Sequence, residues 1–273
     1  MRFLFIALVF FLVACQSDKV QLAFGTVLDS QNYILQTSLD VWAISPEGDS
    51  SSEHMRTDLK VASTLTQLIV YDDGSAKYEL HLDSVEYSSD KRSVEEVAYM
   101  EKYLRTQTFR YKIRSNGIMD TIFPMEEYLA IKGVNDLQLP RLFVKLQPVL
   151  PEKNVSIGES WDGAFSDSSS GEYTTVYKTF RLEDVFYRGG LQLAKLSMGV
   201  RYRKNEEDES VKIESKDYLV GKGTLLFDMT KGQVFSVDLE LTGDLIVDDK
   251  LNQTKVPNLK VRQVLKMERQ EQE

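Results

Sequence analysis

A single cysteine, Cys15, and two histidines, His54 and His81, are the thiol and imidazole groups with which this chain of 273 residues could do chemistry. Nucleophilic catalysis sets a Ser or Cys against a His base, and zinc sites draw on several Cys and His ligands. His54 stands in the Ser/Glu-rich stretch 45–56, which reads as a loop, and His81 falls on the polar phase of a strand, so both read as exposed bystanders. Ser88-Ser89-Asp90-Lys91 has the S-x-x-K spacing but neither of its partner elements, Ser-Asp-Asn or Lys-Thr-Gly, and no G-x-S-x-G elbow occurs. The acidic runs Glu206-Glu207-Asp208-Glu209 and Asp248-Asp249 have no EF-hand spacing and read as solvated turns. Gly221-Lys222-Gly223 lacks the rest of a phosphate loop and reads as close strand packing. The chemistry therefore calls for no metal and no cofactor.

Cys15 has a different use. Arg2 is followed by the unbroken apolar run Phe3 to Ala14, too short for the roughly 20 helical residues that span a bilayer and of the right length for a signal-peptide core. Its end, Leu12-Val13-Ala14-Cys15, resembles a bacterial lipobox, at which cleavage before the cysteine leaves an N-terminal Cys that carries lipid. That resemblance implies a mature chain of 259 residues starting at Cys15, with the formal charge moved from −9 to −10 by loss of Arg2. Two or more acyl chains, at roughly 0.8 kcal/mol per buried CH₂, hold such a protein on a membrane without spanning it. Cys15 is then a thioether and not a thiolate. Gln16 and Ser17 stand where an Asp would resemble an inner-membrane retention signal, which favours the outer membrane; its periplasmic side is expected over the cell surface, for which Gln16-Ser17-Asp18-Lys19 would serve as an export tag.

The elements that follow are mostly strands. With 42% hydrophobic residues the chain can bury a core, and its 42 acidic against 33 basic residues give no footprint for nucleic acid. Tyr33, Leu35, Leu39 and Val41 alternate with Gln36, Ser38 and Asp40, the period of a half-buried strand. Strands over 58–71 and 75–87 flank the turn Asp72-Asp73-Gly74, and a change of phase between Leu82 and Val85 predicts a β-bulge near Asp83-Ser84. Ser93 and Glu96 form a capping-box pattern opening a helix over 93–105, with Val94, Val97, Ala98 and Leu104 on one stripe. Phe109, Tyr111 and Ile113 alternate with Arg110, Lys112 and Arg114 before an Asn116-Gly117 hairpin turn into 118–123. A short helix is expected within 136–147, ending before Pro148. Strands are then expected near 159–166, 172–187, 191–204, 210–220, 223–229, 233–243 and 256–268.

The resulting organisation is a signal peptide over 1–14, a lipidated N-terminus and spacer over 15–31, an N-terminal β-meander over 32–123, a connecting segment over 124–157 and a C-terminal antiparallel β-meander over 158–273. The fold class is mainly β: one or two long curved antiparallel sheets, or a half-open barrel, with one or two short helices packed on it. Strands with one polar face suit such sheets. The 13 Tyr and 13 Phe serve either as core or as the lining of a cavity for an acyl chain.

Three phrases resemble a family of uncharacterised bacterial envelope lipoproteins: Val155-Ser156-Ile157-Gly158-Glu159-Ser160-Trp161, the hairpin Gly221 to Val234 with Phe227-Asp228, and the hairpin Phe109 to Ile118. The resemblance implies no assigned activity. The functional expectation is an outer-membrane-anchored lipoprotein that binds a hydrophobic ligand or an envelope partner without catalysis. The alternative is a carboxylate-dependent envelope hydrolase, whose sign would be two carboxylates about 5–10 Å apart in a concave site. An integral outer-membrane barrel is a weaker third idea, because the polar end Glu268 to Glu273 has no terminal aromatic.

Overall fold

Alternation of apolar and polar residues turns into strands wherever it was strict. The structure, a computed structural model, describes residues 19–25, 30–44, 53–123, 139–167, 174–204, 217–245 and 258–270. Five strands come first: β1 (Ser30–Ile44), β2 (Glu53–Val70), β3 (Ala76–Ser89), β4 (Thr108–Ile113) and β5 (Met119–Phe123). Six more follow: β6 (Ser160–Asp167), β7 (Thr174–Arg188), β8 (Leu191–Lys204), β9 (Asp217–Asp228), β10 (Gln233–Leu245) and β11 (Asn258–Arg269). The helices among the described residues are α1 (Val94–Arg105) and α2 (Leu139–Leu146).

All eleven strands belong to one sheet, in the order β5-β4-β3-β2-β1-β11-β10-β9-β8-β7-β6. Each half of the chain is an antiparallel meander, and the halves join where β1 pairs with β11 from Tyr33 opposite Arg269 to Ile44 opposite Asn258. The sheet is open, with β5 and β6 as its edges. It also curves. Tyr111 of β4 packs against Phe143 of α2, ring centroids 6.3 Å apart and planes tilted by 40°, while Lys178 of β7 bonds to the carbonyl of Lys145, two residues further along the same helix. β4 and β7 are eight places apart in the sheet, about 38 Å along a flat surface at the usual strand spacing. Helix α2 is only about 12 Å long. A sheet that touches so short a helix from both sides has to wrap around it, which makes the fold a half-open barrel with a helix in its concavity.

Several local signals are realised as the sequence implies. Ser93 caps α1, its Oγ accepting from the Glu96 N–H while the Glu96 carboxylate accepts from the Ser93 N–H. The register between β2 and β3 slips by one residue at Asp83, the expected bulge. Gly221 and Gly223 lie where an added Cβ would run into the backbone of β10, at the carbonyls of Glu240 and Asp238.

Four expectations need correction. The strands expected over 210–220 and 223–229 are, within the described residues, one strand, β9, because Gly221 and Gly223 are packing positions and not a turn. The loop expected over 45–56 ends earlier: β2 starts at Glu53, so His54 is a strand residue opposite Trp42. The buried face of α1 is Met100 and Leu104 with Val97 beside them, and Val94 and Ala98 are exposed. Helix α1 lies against the stretch of β3 that β4 does not reach, where Glu101 accepts from the Tyr87 N–H and Arg105 donates to the Val85 carbonyl. Its apolar stripe is set by that edge. The Asn116-Gly117 turn is wider than a two-residue hairpin: Gly117, at φ +89°, donates to the Arg114 carbonyl, while Arg114 donates to that of Ile118. A three-residue loop closed by a glycine bulge has this pattern.

Candidate functional site

The concave face of the sheet is mainly apolar. It carries Tyr33 and Leu35 of β1, Leu59 and Val61 of β2, Tyr78 and Leu80 of β3, Leu265 and Met267 of β11, Leu225 and Phe227 of β9, and Phe180 and Leu182 of β7, all buried. Among the described residues no second sheet covers it. Its cover is helix α2, whose Leu142, Phe143 and Leu146 are fully buried, together with the strap 147–155 and the N-terminal segment 19–25.

Several polar bonds fasten the cover. Lys178 projects from the apolar row Val176, Phe180, Leu182, and its Nζ donates to the carbonyls of Lys145 and Gln147, 3.0 and 2.6 Å away. Those carbonyls lie at the C-terminal end of α2, where backbone acceptors lack intrahelical donors and the helix dipole favours a cation. The Nζ also sits 5.3 Å from the centre of the Phe165 ring. Burial pushes its pKa down to about 7, from the usual 10.5. Lys145 reaches the other way, donating to Gln263 Oε1 on β11 at 2.9 Å. The strap then crosses the gap between the two edges of the sheet: Leu150 N–H bonds to the Asn116 carbonyl in the β4–β5 turn, and Trp161 Nε1 of β6 to the Val149 carbonyl. Val149 packs where a side chain on Gly163 would clash. The N-terminal segment closes the same end, with Val20 and Val155 exchanging both backbone bonds and Gly25 N–H bonding to the Gly232 carbonyl.

Beneath this cover lies a buried polar cluster. Arg269 and Asp228 form an ion pair of 2.7 Å, 3% and 0% exposed, and the Arg269 guanidinium lies over the Phe235 ring. Asp228 also accepts from the N–H groups of Thr230 and Lys231, fixing the β9–β10 turn. Tyr33 donates to the Val234 carbonyl, and burial pushes its phenol well above the ordinary range. Gln67 donates to the Tyr78 hydroxyl, whose pKa burial pushes up to about 12. The partly open pocket lined by Tyr33, Tyr78, Gln147 and Gln233 holds about 20 Å³, room for a single water. Around these residues the concavity is filled by the chain's own cover, and Tyr33, Tyr78, Tyr111, Phe180 and Phe227 belong to the buried core of the described residues.

Other sequence candidates fall elsewhere. Cys15 and the lipobox residues Leu12, Val13 and Ala14 lie outside the described residues, as do Glu206 to Glu209 and Asp248-Asp249. His54 stacks on Trp42 at 5.2 Å and its Nε2 is 3.0 Å from Asp40 on the outer face. Ser38, two rows along, donates to Asp58 and not to His54. Asp58 is in turn bonded by Arg56, which holds its carboxyl below the usual range. His81 is exposed. Among the described residues no three His, Cys, Asp or Glu are grouped to hold a metal, and the buried carboxylates are Asp40 on β1 and Asp228 on β9, each already engaged. Sequence reading passed over Lys178 and Arg269. Each was visible as a charged residue in the apolar phase of its strand, Val176-x-Lys178-x-Phe180 and Leu265-x-Met267-x-Arg269.

No family model matches the chain, and no curated protein matches it. Among solved structures, a lipovitellin studied for its lipid–protein interactions aligns at TM-score 0.48 and 10% identity over 89% of this chain. This chain spans 25% of that protein's length. DynF of the dynemicin biosynthesis pathway of Micromonospora chersina aligns at TM-score 0.22 and 8% identity, over 93% of this chain and 86% of its own. Likeness at these values says nothing about what the concave face holds.

Proposed function

We propose that the protein is a bacterial lipoprotein, tethered to the outer membrane through lipid on Cys15, that binds a hydrophobic ligand against the concave face of its sheet. It acts by binding and not by catalysis. The observation that carries this reading is the nature of the cover. Among the described residues the concave face of an eleven-stranded sheet is covered by one eight-residue helix and two extended segments, fastened to the sheet by bonds such as those from Lys178 and Trp161 to backbone carbonyls. Such a cover can part as a unit, because, apart from the bond of Lys145 to the Gln263 side chain, the bonds given above end on backbone acceptors that water can satisfy equally well. An acyl chain entering between α2 and the sheet would replace Leu142, Phe143 and Leu146 against the same residues.

Two measurements test the two halves of the proposal. Intact mass of the protein from membranes should correspond to a chain starting at Cys15 plus acyl groups, and Cys15→Ala should leave the chain uncleaved or release it from the membrane fraction. Unchanged processing and retention in that variant refute the tether. For the ligand, a full-length mature chain secreted with Cys15 replaced, and purified without detergent, should carry or take up a fluorescent fatty acid in native mass spectrometry. A protein that stays empty at saturating probe overturns the binding reading.

A further inference from the structure

The alternation of the meander gives the half-barrel two unlike ends. At one end, long segments connect β1 to β2, β3 to β4, β8 to β9 and β10 to β11. At the other lie the short turns 71–75, 114–118, 189–190 and 229–232, the start of β6, and the N-terminal segment 19–25.

Exposed apolar residues are not shared evenly between these ends. Of the eight large hydrophobic residues that stand exposed among the described residues, five are at the short-turn end: Leu68, Ile69, Tyr71, Ile157 and Tyr187, 39–75% exposed. Leu68 and Ile69 are consecutive and both face solvent because the register between β2 and β3 slips at Leu68, and a bulge of this kind re-aims side chains. Ile157 precedes Gly158, at φ +90°, and Tyr187 precedes the Gly189-Gly190 turn, with both glycines at positive φ. Scattered exposed apolar residues are ordinary, but a group at one end of a domain marks an interaction surface. Exposed cations Lys19, Lys153 and Arg188 stand among them, beside the exposed carboxylates Asp72, Asp73, Glu152 and Glu159.

The N-terminus fixes what that end faces. Val20 is bonded to Val155 by 2.8 and 2.9 Å backbone bonds, so Lys19 is held beside the start of β6. Only four peptide links separate Lys19 from Cys15, a reach of about 14 Å at full extension. We propose that the short-turn end of the half-barrel is a membrane-docking face, whose Ile69, Tyr71, Ile157 and Tyr187 enter the interface of the bilayer that holds the lipid on Cys15, with Lys19, Lys153 and Arg188 against lipid phosphates. This rests on the reading of Cys15 as the lipidated residue. The short tether leaves the domain little freedom to turn another side to the membrane.

The test uses the full lipidated chain in vesicles of phosphatidylethanolamine and phosphatidylglycerol. Cys15 is the only cysteine and carries the lipid, so Ile69→Cys, Ile157→Cys, Tyr187→Cys and, as the control, Val220→Cys each present one labelling site. All four positions are exposed, so each variant is expected to fold. With a bimane label, quenching by doxyl lipids should be at least threefold stronger at 69, 157 and 187 than at 220. Equal quenching at all four positions in a protein whose mass confirms the lipid overturns the docking face and leaves the anchor standing. A mass without acyl groups removes the anchor, and the docking face with it. Shielding of the three labels from an aqueous quencher in native membranes, without doxyl-lipid quenching in vesicles, assigns the face to a protein partner and also overturns the proposal.

Discussion

The ammonium of Lys178 on β7 lies 2.6 Å from the carbonyl oxygen of Gln147 and is fully buried, so a cation of the sheet closes the C-terminal end of the helix that covers it. The bond joins elements that sequence distance keeps apart and ties the stability of the cover to one proton.

Burial sets the sign of that dependence. The folded-state pKa of Lys178, about 7, lies below the unfolded value near 10.5. Between these values the unfolded chain binds the extra proton, so stability should rise with pH across that window, and the cost of holding the charge is fully present below pH 7. From pH 7 to 9.5 the rise is about 3 kcal/mol at most, at 1.36 kcal/mol per unit. Urea midpoints should therefore climb in the wild-type chain and stay flatter in Lys178→Met. Parallel pH profiles for the two would show that the ammonium is not desolvated.

The pair Arg269–Asp228 should behave oppositely to a surface bridge. Exposed pairs such as Lys60–Glu86 contribute under about 1 kcal/mol. Removing one partner of a buried pair strands the other, which costs about 3–5 kcal/mol. Asp228→Asn keeps an acceptor for the turn amides of Thr230 and Lys231 but leaves the guanidinium uncompensated, so it should lower the midpoint sharply. Asp228→Asn with Arg269→Met should recover part of that loss. A double-mutant cycle with no coupling would count against the pair.

Sequence reading reached what is encoded over short distances. Ser93 and Glu96 cap a helix three residues apart, Asp72-Asp73-Gly74 turns between neighbouring strands, and the period of Phe235, Val237, Leu239 and Leu241 records which side of β10 is buried. The union of the two meanders escaped it, because the pairing of Tyr33 with Arg269 leaves no local mark on either strand. So did the site. Lys178 is legible as a misfit in an apolar row, yet its partners, the carbonyls of Lys145 and Gln147, have no side-chain identity to read. His54 misled for a related reason: its neighbours are polar, and only the cross-strand stack on Trp42 makes it a strand residue.

Two glycines of β9 should prove less replaceable than a third on β8. At Gly221 and Gly223 an added methyl meets the β10 backbone, which cannot swing aside, whereas at Gly199 it meets only Thr179 at 3.9 Å. Gly221→Ala and Gly223→Ala should each cost about 1–3 kcal/mol as overpacking. Gly199→Ala should be neutral or stabilise by up to about 1 kcal/mol, through reduced freedom of the unfolded chain. Thermal midpoints of the three variants decide it, and a tolerated Gly221→Ala would mean that β9 and β10 are further apart.

The cover itself offers the last prediction. If α2 is a removable lid and not an inseparable part of the core, its backbone should open at a lower free energy than the sheet beneath. Gln147 N–H, bonded to the Phe143 carbonyl at 3.0 Å, reports the last turn of α2, while the amides of Leu35 and Leu265, in the paired strands β1 and β11, report the sheet. Native-state hydrogen exchange should place Gln147 in a sub-global opening and Leu35 and Leu265 in global unfolding. Phe143→Ala should widen that gap, because Phe143 touches Tyr111 across the boundary between cover and sheet. Its loss, worth about 3–5 kcal/mol for a buried aromatic, should fall mainly on the opening of the lid. If Gln147 exchanges only with the sheet, at the same free energy and with the same response to Phe143→Ala, then α2 is core and no ligand can enter beneath it without unfolding the protein.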